Sequence, residues 1–151
     1  MSDDILTAAE LRRNYLQSPV DDLYSFYYTM QWAAAFHDQE FAAIDIPADL
    51  KFLRNNLLGI YMIRSFATTQ ITDPSPLSPL HYGSFLTQCQ PVLRDWYLEL
   101  RGIRADWIEC QSKLHGQDLD AKVYISLFST FALRGVATLA EVVYKYTRDM
   151  E

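Results

Sequence analysis

The sequence predicts an all-α protein: a single helical domain spanning residues 1–151, with about five helices around a buried central helix. Three observations lead there. Apolar residues recur at helical spacings along nearly the whole chain, and no alternating strand pattern lasts beyond a few residues. Half of the 151 residues are apolar and 21% are charged, an ordinary balance for a folded globular chain. Finally, the stretch LYSFYYTMQWAAAFH after Asp22 contains no charged residue, so a helix formed there has no side made for water.

The elements follow in order. A first helix is expected from Ser2 or Asp3 to about Leu16, with Asp3 and Asp4 at its positive end. Ser18-Pro19 supplies an N-cap and a first helical position for the next, running from Val20 to about Phe36. This charge-free helix is the expected central post. Pro47 opens a third helix to about Phe66, with Leu50, Leu53, Leu57 and Tyr61 on one face. Thr68 to Tyr82, with Pro74, Pro76 and Pro79 among Ser, Thr and Asp, reads as a surface loop.

From Pro91 onward Leu93, Trp96, Leu100, Ile103, Trp107, Cys110 and Leu114 alternate in steps of three and four, a heptad-like seam. Two readings of it stand. It packs on another helix of the same chain, or it docks a partner helix, with Leu93, Trp96, Leu100 and Trp107 as the partner surface. A last helix is expected from Leu119 to about Arg148. Between Val123 and Ala140 its sole charge is Arg134, beside Gly135, and Ser126, Ser129, Thr130 and Thr138 dilute its apolar character. It is read as a helix buried in a protein core, since a span needs about 20 mostly apolar residues.

Charge and motifs narrow the function. Acidic residues outnumber basic ones by 19 to 13, for a net charge of −6, which argues against nucleic acid or an anionic membrane as partner. Two cysteines, Cys89 and Cys110, are too few for a disulfide framework and form no Cys-x-x-Cys. Met1-Ser2-Asp3-Asp4 has neither the basic nor the apolar region of a signal peptide, so a soluble cytoplasmic or nuclear chain is expected. A phosphate-cradling loop needs glycines close together, and the five here are widely scattered. His37, His81 and His115 fall in no metal-binding spacing, and no G-x-S-x-G elbow marks a nucleophile. Asp3-Asp4 and Asp21-Asp22 read as helix caps. No catalytic, cofactor or metal residue is assigned.

The segment DDLYSFYYTMQW beginning at Asp21 resembles the start of helix F in a protein kinase C-lobe, in the form DDLESFFYVLLW usual in the fungal-type protein kinase family. Ala8-Ala9-Glu10 is similar to the Ala-Pro-Glu motif that closes a kinase activation segment, and Glu10 lies twelve residues before Asp22. Ala9 replaces the usual Pro, and Tyr24 the usual Trp or Glu. Residues 8–36 carry the motif content, and the region around Arg94-Asp95-Trp96 resembles later C-lobe helices more loosely.

The resemblance implies a helical C-lobe without its N-lobe. It implies that Asp22 hydrogen-bonds backbone N–H groups of a catalytic loop, and that Glu10 pairs with Arg94, Arg101 or Arg104. The Gly-rich loop, strand lysine, H-R-D loop and D-F-G site of a kinase are not found in this sequence, so ATP and Mg²⁺ would apply only to a complete family member. The expected function is a non-catalytic fragment or remnant of a Ser/Thr kinase, retaining at most a protein-interaction role. The alternative is a dedicated helical module that associates through the Leu93–Leu114 seam, with itself or with another protein.

Overall fold

The computed structural model describes residues 18–37, 45–114 and 120–148, and within them the protein is all-α. Its helices are α1 (Pro19–Ala35), α2 (Ala48–Leu57), α3 (Tyr61–Thr72), α4 (Pro79–Tyr82), α5 (Ser84–Leu114) and α6 (Ala121–Thr147). The helix expected before Leu16 lies outside the described residues. The chain forms two compact units: Tyr27–Asp95 makes one, and the flanking parts, up to Phe26 and from Trp96 onward, make the other.

Helix α1 starts where its capping residues dictate. The Ser18 N–H donates to Asp21 Oδ2 at 2.7 Å, and the Asp21 N–H donates back to Ser18 Oγ at 3.3 Å. This reciprocal pair satisfies donors that a helix start leaves open. Burial along the helix is one-sided. Val20, Leu23, Tyr24, Tyr27, Gln31, Ala34 and Ala35 are buried, whereas Phe26 and Trp32 are 53% and 49% exposed. The expectation of a helix buried all round is corrected accordingly. Lack of charge permits burial on every side, but packing partners must supply it.

The internal unit (Tyr27–Asp95) builds its core from Tyr27, Leu50, Leu53, Leu57, Ala67, Ile71, Leu77, Leu86 and Leu93. Three buried polar side chains tie its segments together. Gln31 Nε2 donates to Thr68 Oγ1 at 3.1 Å. Arg54 Nε donates to the Ala35 carbonyl at 2.6 Å and lies over the Phe36 ring, placing a cation at the negative end of α1. Gln90 holds the loop before α4: its Oε1 accepts from the Leu77 N–H at 2.8 Å, and its Nε2 donates to the carbonyls of Ile71 at 3.2 Å and Ser75 at 3.0 Å.

Helix boundaries here differ from expectation in two places. The helix expected from Pro47 to Phe66 breaks at Leu58–Ile60, where Gly59 donates to the Asn56 carbonyl and Ile60 turns extended. Glycine is among the weakest helix formers, and the chain uses it to separate α2 from α3. The loop expected over Thr68 to Tyr82 shrinks, because α3 runs on through Thr72 and α4 forms from Pro79. Gly83 then links α4 to α5 with φ 80° and ψ 154°, a conformation essentially reserved for glycine. Gly83→Ala is therefore expected to cost about 1–3 kcal/mol, read as a lower midpoint in urea unfolding.

The other unit joins the first turns of α1, α5 from Trp96 onward, and α6. Tyr24 meets Tyr97 edge-on at 6.1 Å, and Phe26 meets Trp96 at 5.9 Å. Trp107 receives the edges of Tyr124 at 6.4 Å and Phe131 at 5.1 Å, which fixes α6 on α5. Gly135 lets α6 approach α1 closely: a Cβ there would come within 2.9 Å of Leu23 Cγ.

Candidate functional site: the outer face of the last helix

The residues singled out from the sequence fall into three groups. Asp22 is exposed at the start of α1, and it is the neighbouring Asp21, 1% exposed, that caps the helix. Glu10 lies outside the described residues. Of its three candidate partners, Arg94 sits 3.2 Å from Asp95.

The third group is the Leu93–Leu114 seam, and it is core. Leu93, Trp96, Leu100, Ile103 and Trp107 are all between 0% and 4% exposed within the chain itself. The partner surface proposed for Leu93, Trp96, Leu100 and Trp107 is thus corrected to an interior face. Its large side chains meet aromatic residues of α1 and α6, so no second molecule is needed to bury them.

A second seam takes its place. Along α6 two rows run in steps of three and four on opposite sides. Phe128, Phe131, Gly135, Thr138 and Val142 form the covered row. Ser126, Ser129, Leu133, Val136, Ala140, Val143 and Thr147 form the other, and every one of them is exposed. Leu133 and Val136 are 70% and 61% exposed, in a helix where only Gly135 and Val142 are buried. The expectation that Val123 to Ala140 lies in a protein core is corrected: only the inner row is covered. The middle of this outer row, Leu133, Val136, Ala140 and Val143, is apolar between Ser126 and Ser129 at one end and Thr147 at the other, and the described chain leaves it open.

By length and composition α6 is also able to cross a membrane, with a mean hydropathy of 1.4 over its most apolar 18-residue stretch, 6% of it buried. Charged groups lie beside it. Arg134 in mid-helix bonds Asp106 of α5 at 2.5 Å, and Arg101, Asp106, Glu109 and Lys113 of α5 are exposed. Lipid around α6 would draw those charges to the same depth, at several kcal/mol each.

The remaining surface offers little chemistry. Asp49 and His81 pair at 2.6 Å, both half exposed. Beside them Gln70 donates to the Tyr82 hydroxyl at 2.6 Å, and burial pushes that phenol up from its usual pKa. The open cleft there, lined by Gln70, Asp73, Ser75, Leu77 and Tyr82, measures about 240 Å³, smaller than a usual ligand site. Burial also pushes the Cys89 thiol up, away from the reactive thiolate. His37, just past α1, stacks on Phe85 at 4.0 Å as a helix-end residue. No group of three or more His, Cys, Asp or Glu side chains suited to a metal occurs among the described residues.

In the sequence, Val123 to Ala140 reads as one buried helix and no outer row is singled out on it; the three–four spacing of Ser126 to Thr147 is the signal that marks one. Comparisons with protein-family models, with curated proteins and with solved structures give no match for this chain.

Proposed function

We propose that this chain is a soluble, non-catalytic helical module, related to the C-lobe of fungal-type protein kinases, that binds protein through the outer face of α6. The observation that carries the reading is the outer row itself: seven exposed positions at coiled-coil spacing, apolar at its centre from Leu133 to Val143, on a helix whose opposite row is buried or half-buried. Large exposed apolar rows on soluble domains mark interaction sites. Relation to a kinase C-lobe rests on the motif content of residues 8–36. It is favoured by the exposure of Asp22, Phe26 and Trp32, as expected of a post helix lacking part of its cover. ATP and Mg²⁺ have no role in this reading.

A photo-crosslinking residue placed at Val136 and produced in the cell tests the docking face. Protein adducts are expected at position 136 and not at Lys51, which is exposed on α2. Equal labelling at both, or none at 136, sinks the reading. Metal-dependent ATP turnover by the purified chain would overturn its non-catalytic part.

A further inference from the structure

We propose that Ser75 is a phosphorylation site for a proline-directed Ser/Thr kinase, and that a phosphate there opens the loop that Gln90 clamps. The site lies wholly in the Tyr27–Asp95 unit and does not depend on the docking face of α6.

Three serines of the chain stand before a proline: Ser18, Ser75 and Ser78. Folding makes them unequal. Ser18 is 5% exposed, and its hydroxyl oxygen accepts from the Asp21 N–H at the start of α1. Ser75 and Ser78 are exposed, in the run Ser75-Pro76-Leu77-Ser78-Pro79, where each proline holds the serine before it out of helical backbone. Ser78 accordingly has φ −79° and ψ 125°. Extended backbone is the form a kinase can line up with a γ-phosphate. Of the two, Ser75 is the readier acceptor. It lies in four consecutive exposed residues, Asp73 to Pro76, whereas Ser78 stands between buried Leu77 and α4.

The neighbouring residues select the class of enzyme. No Lys or Arg occurs between Arg64 and Arg94, so a kinase that finds its acceptor through basic neighbours in sequence has no anchor here. Pro76 is the feature left to recognise. It has no N–H, and a pocket shaped for its ring asks for none. In the transfer, Ser75 Oγ attacks the γ-phosphorus of ATP held by that kinase. The Oγ–P bond forms as the bond from the γ-phosphorus to the β–γ bridging oxygen breaks. ADP leaves, and the hydroxyl proton passes to the catalytic carboxylate of the kinase.

The effect follows from what surrounds Ser75. Asp73 stands at the C-cap of α3, and its Oδ1 accepts from the Ser75 N–H at 2.8 Å. Hydrogen bonds from the Ser75 backbone, and after it from the Ser75 side chain, hold the Asp73 carboxyl below its usual pKa. A phosphoserine adds a charge of about −1.5 to −2 beside that carboxylate and just past the negative end of a helix. Both placements repel it. The same segment is held by Gln90, through the carbonyls of Ile71, Asp73 and Ser75 and the Leu77 N–H. Driving Ser75 away from Asp73 draws its carbonyl off Gln90 and loosens Leu77, which is 9% exposed. Ser78 then gains the open flank it lacks, so Ser75 is modified before Ser78.

The purified chain, incubated with ATP–Mg²⁺ and a kinase of the cyclin-dependent class and read by tandem mass spectrometry, tests the site. Phosphate is expected on Ser75 first, on Ser78 after it, and not on Ser18. A kinase selective for basic residues before the acceptor should label none of the three. Pro76→Ala, at an exposed position, should slow labelling of Ser75 by at least ~10-fold with helical circular dichroism unchanged. Absence of phosphate from Ser75, equal labelling of Ser18, or a Pro76→Ala chain labelled at the wild-type rate overturns the site.

The opening of the loop is read separately. Phosphate on Ser75 should speed hydrogen exchange at the Leu77 amide by at least ~10-fold and leave the Leu53 amide unchanged. Asp73→Asn removes the like charge and should shrink that acceleration. Ser75→Ala should slow labelling of Ser78, and adding Gln90→Met, which opens the clamp without a phosphate, should restore it. Unchanged exchange at Leu77 in the phosphorylated chain overturns the opening.

Discussion

Trp96→Ala is expected to destabilise the protein by roughly 3–5 kcal/mol, the range for emptying a buried aromatic site. Total stabilities of globular domains run to about 5–15 kcal/mol, so this one change removes a large part of the whole. Trp96 is 1% exposed and lies edge-on against Phe26 at 5.9 Å. Its loss leaves a cavity lined by aromatic and aliphatic groups that cannot close over it. Trp96→Asp adds a buried carboxylate and is expected to unfold the chain at room temperature. Urea unfolding followed by circular dichroism measures both. Were Trp96→Asp to leave a folded monomer and remove only self-association, the seam on α5 would be an outer surface and its assignment to the core would be wrong. A charge on the α5 seam should break the fold, whereas Val136→Glu, on the exposed row of α6, should leave it intact.

Gln90→Ala is expected to cost about 2–3 kcal/mol and to loosen the loop before α4. Gln90 is 3% exposed, and its amide joins the Leu77 N–H to the carbonyls of Ile71 and Ser75. Without it those backbone groups either stay unsatisfied or draw water into the unit, and both outcomes cost free energy. The readout is local. Hydrogen exchange at the Leu77 amide should speed up far more than at core amides such as Leu53, whose opening follows global unfolding. Gln90→Met keeps the volume and removes the hydrogen bonds, so it should show the same acceleration. Matching wild-type exchange in that variant would mean that the loop holds itself without the amide.

The Gln90 clamp also shows where a sequence stops being informative. Nothing in TQCQP marks the fourth residue as different from the second, since both are polar positions in a long helix. Only the path of the chain from Ile71 to Leu77 brings four backbone groups to one of them, the carbonyls of Ile71, Asp73 and Ser75 and the Leu77 N–H. Arg54 is a similar case. Its place in the sequence suggests a solvated helix face, and the fold turns it into a C-terminal partner for α1, 7% exposed.

Local physics was legible from the residues alone. Helical periodicity determined the all-α class, Ser18 and Asp21 determined where α1 begins, and the three–four spacing picked out the α5 seam as a packing face. Those features depend on residues within a few turns of each other, so the sequence holds all the information needed. Which apolar faces are covered is a different kind of quantity. It depends on how many neighbours the fold delivers to each side of a helix, and spacing repeats identically on a covered and an uncovered row. Tertiary structure therefore decided that the α5 seam is interior, that α1 keeps Phe26 and Trp32 in the open, and that α6 carries one seam inward and one outward.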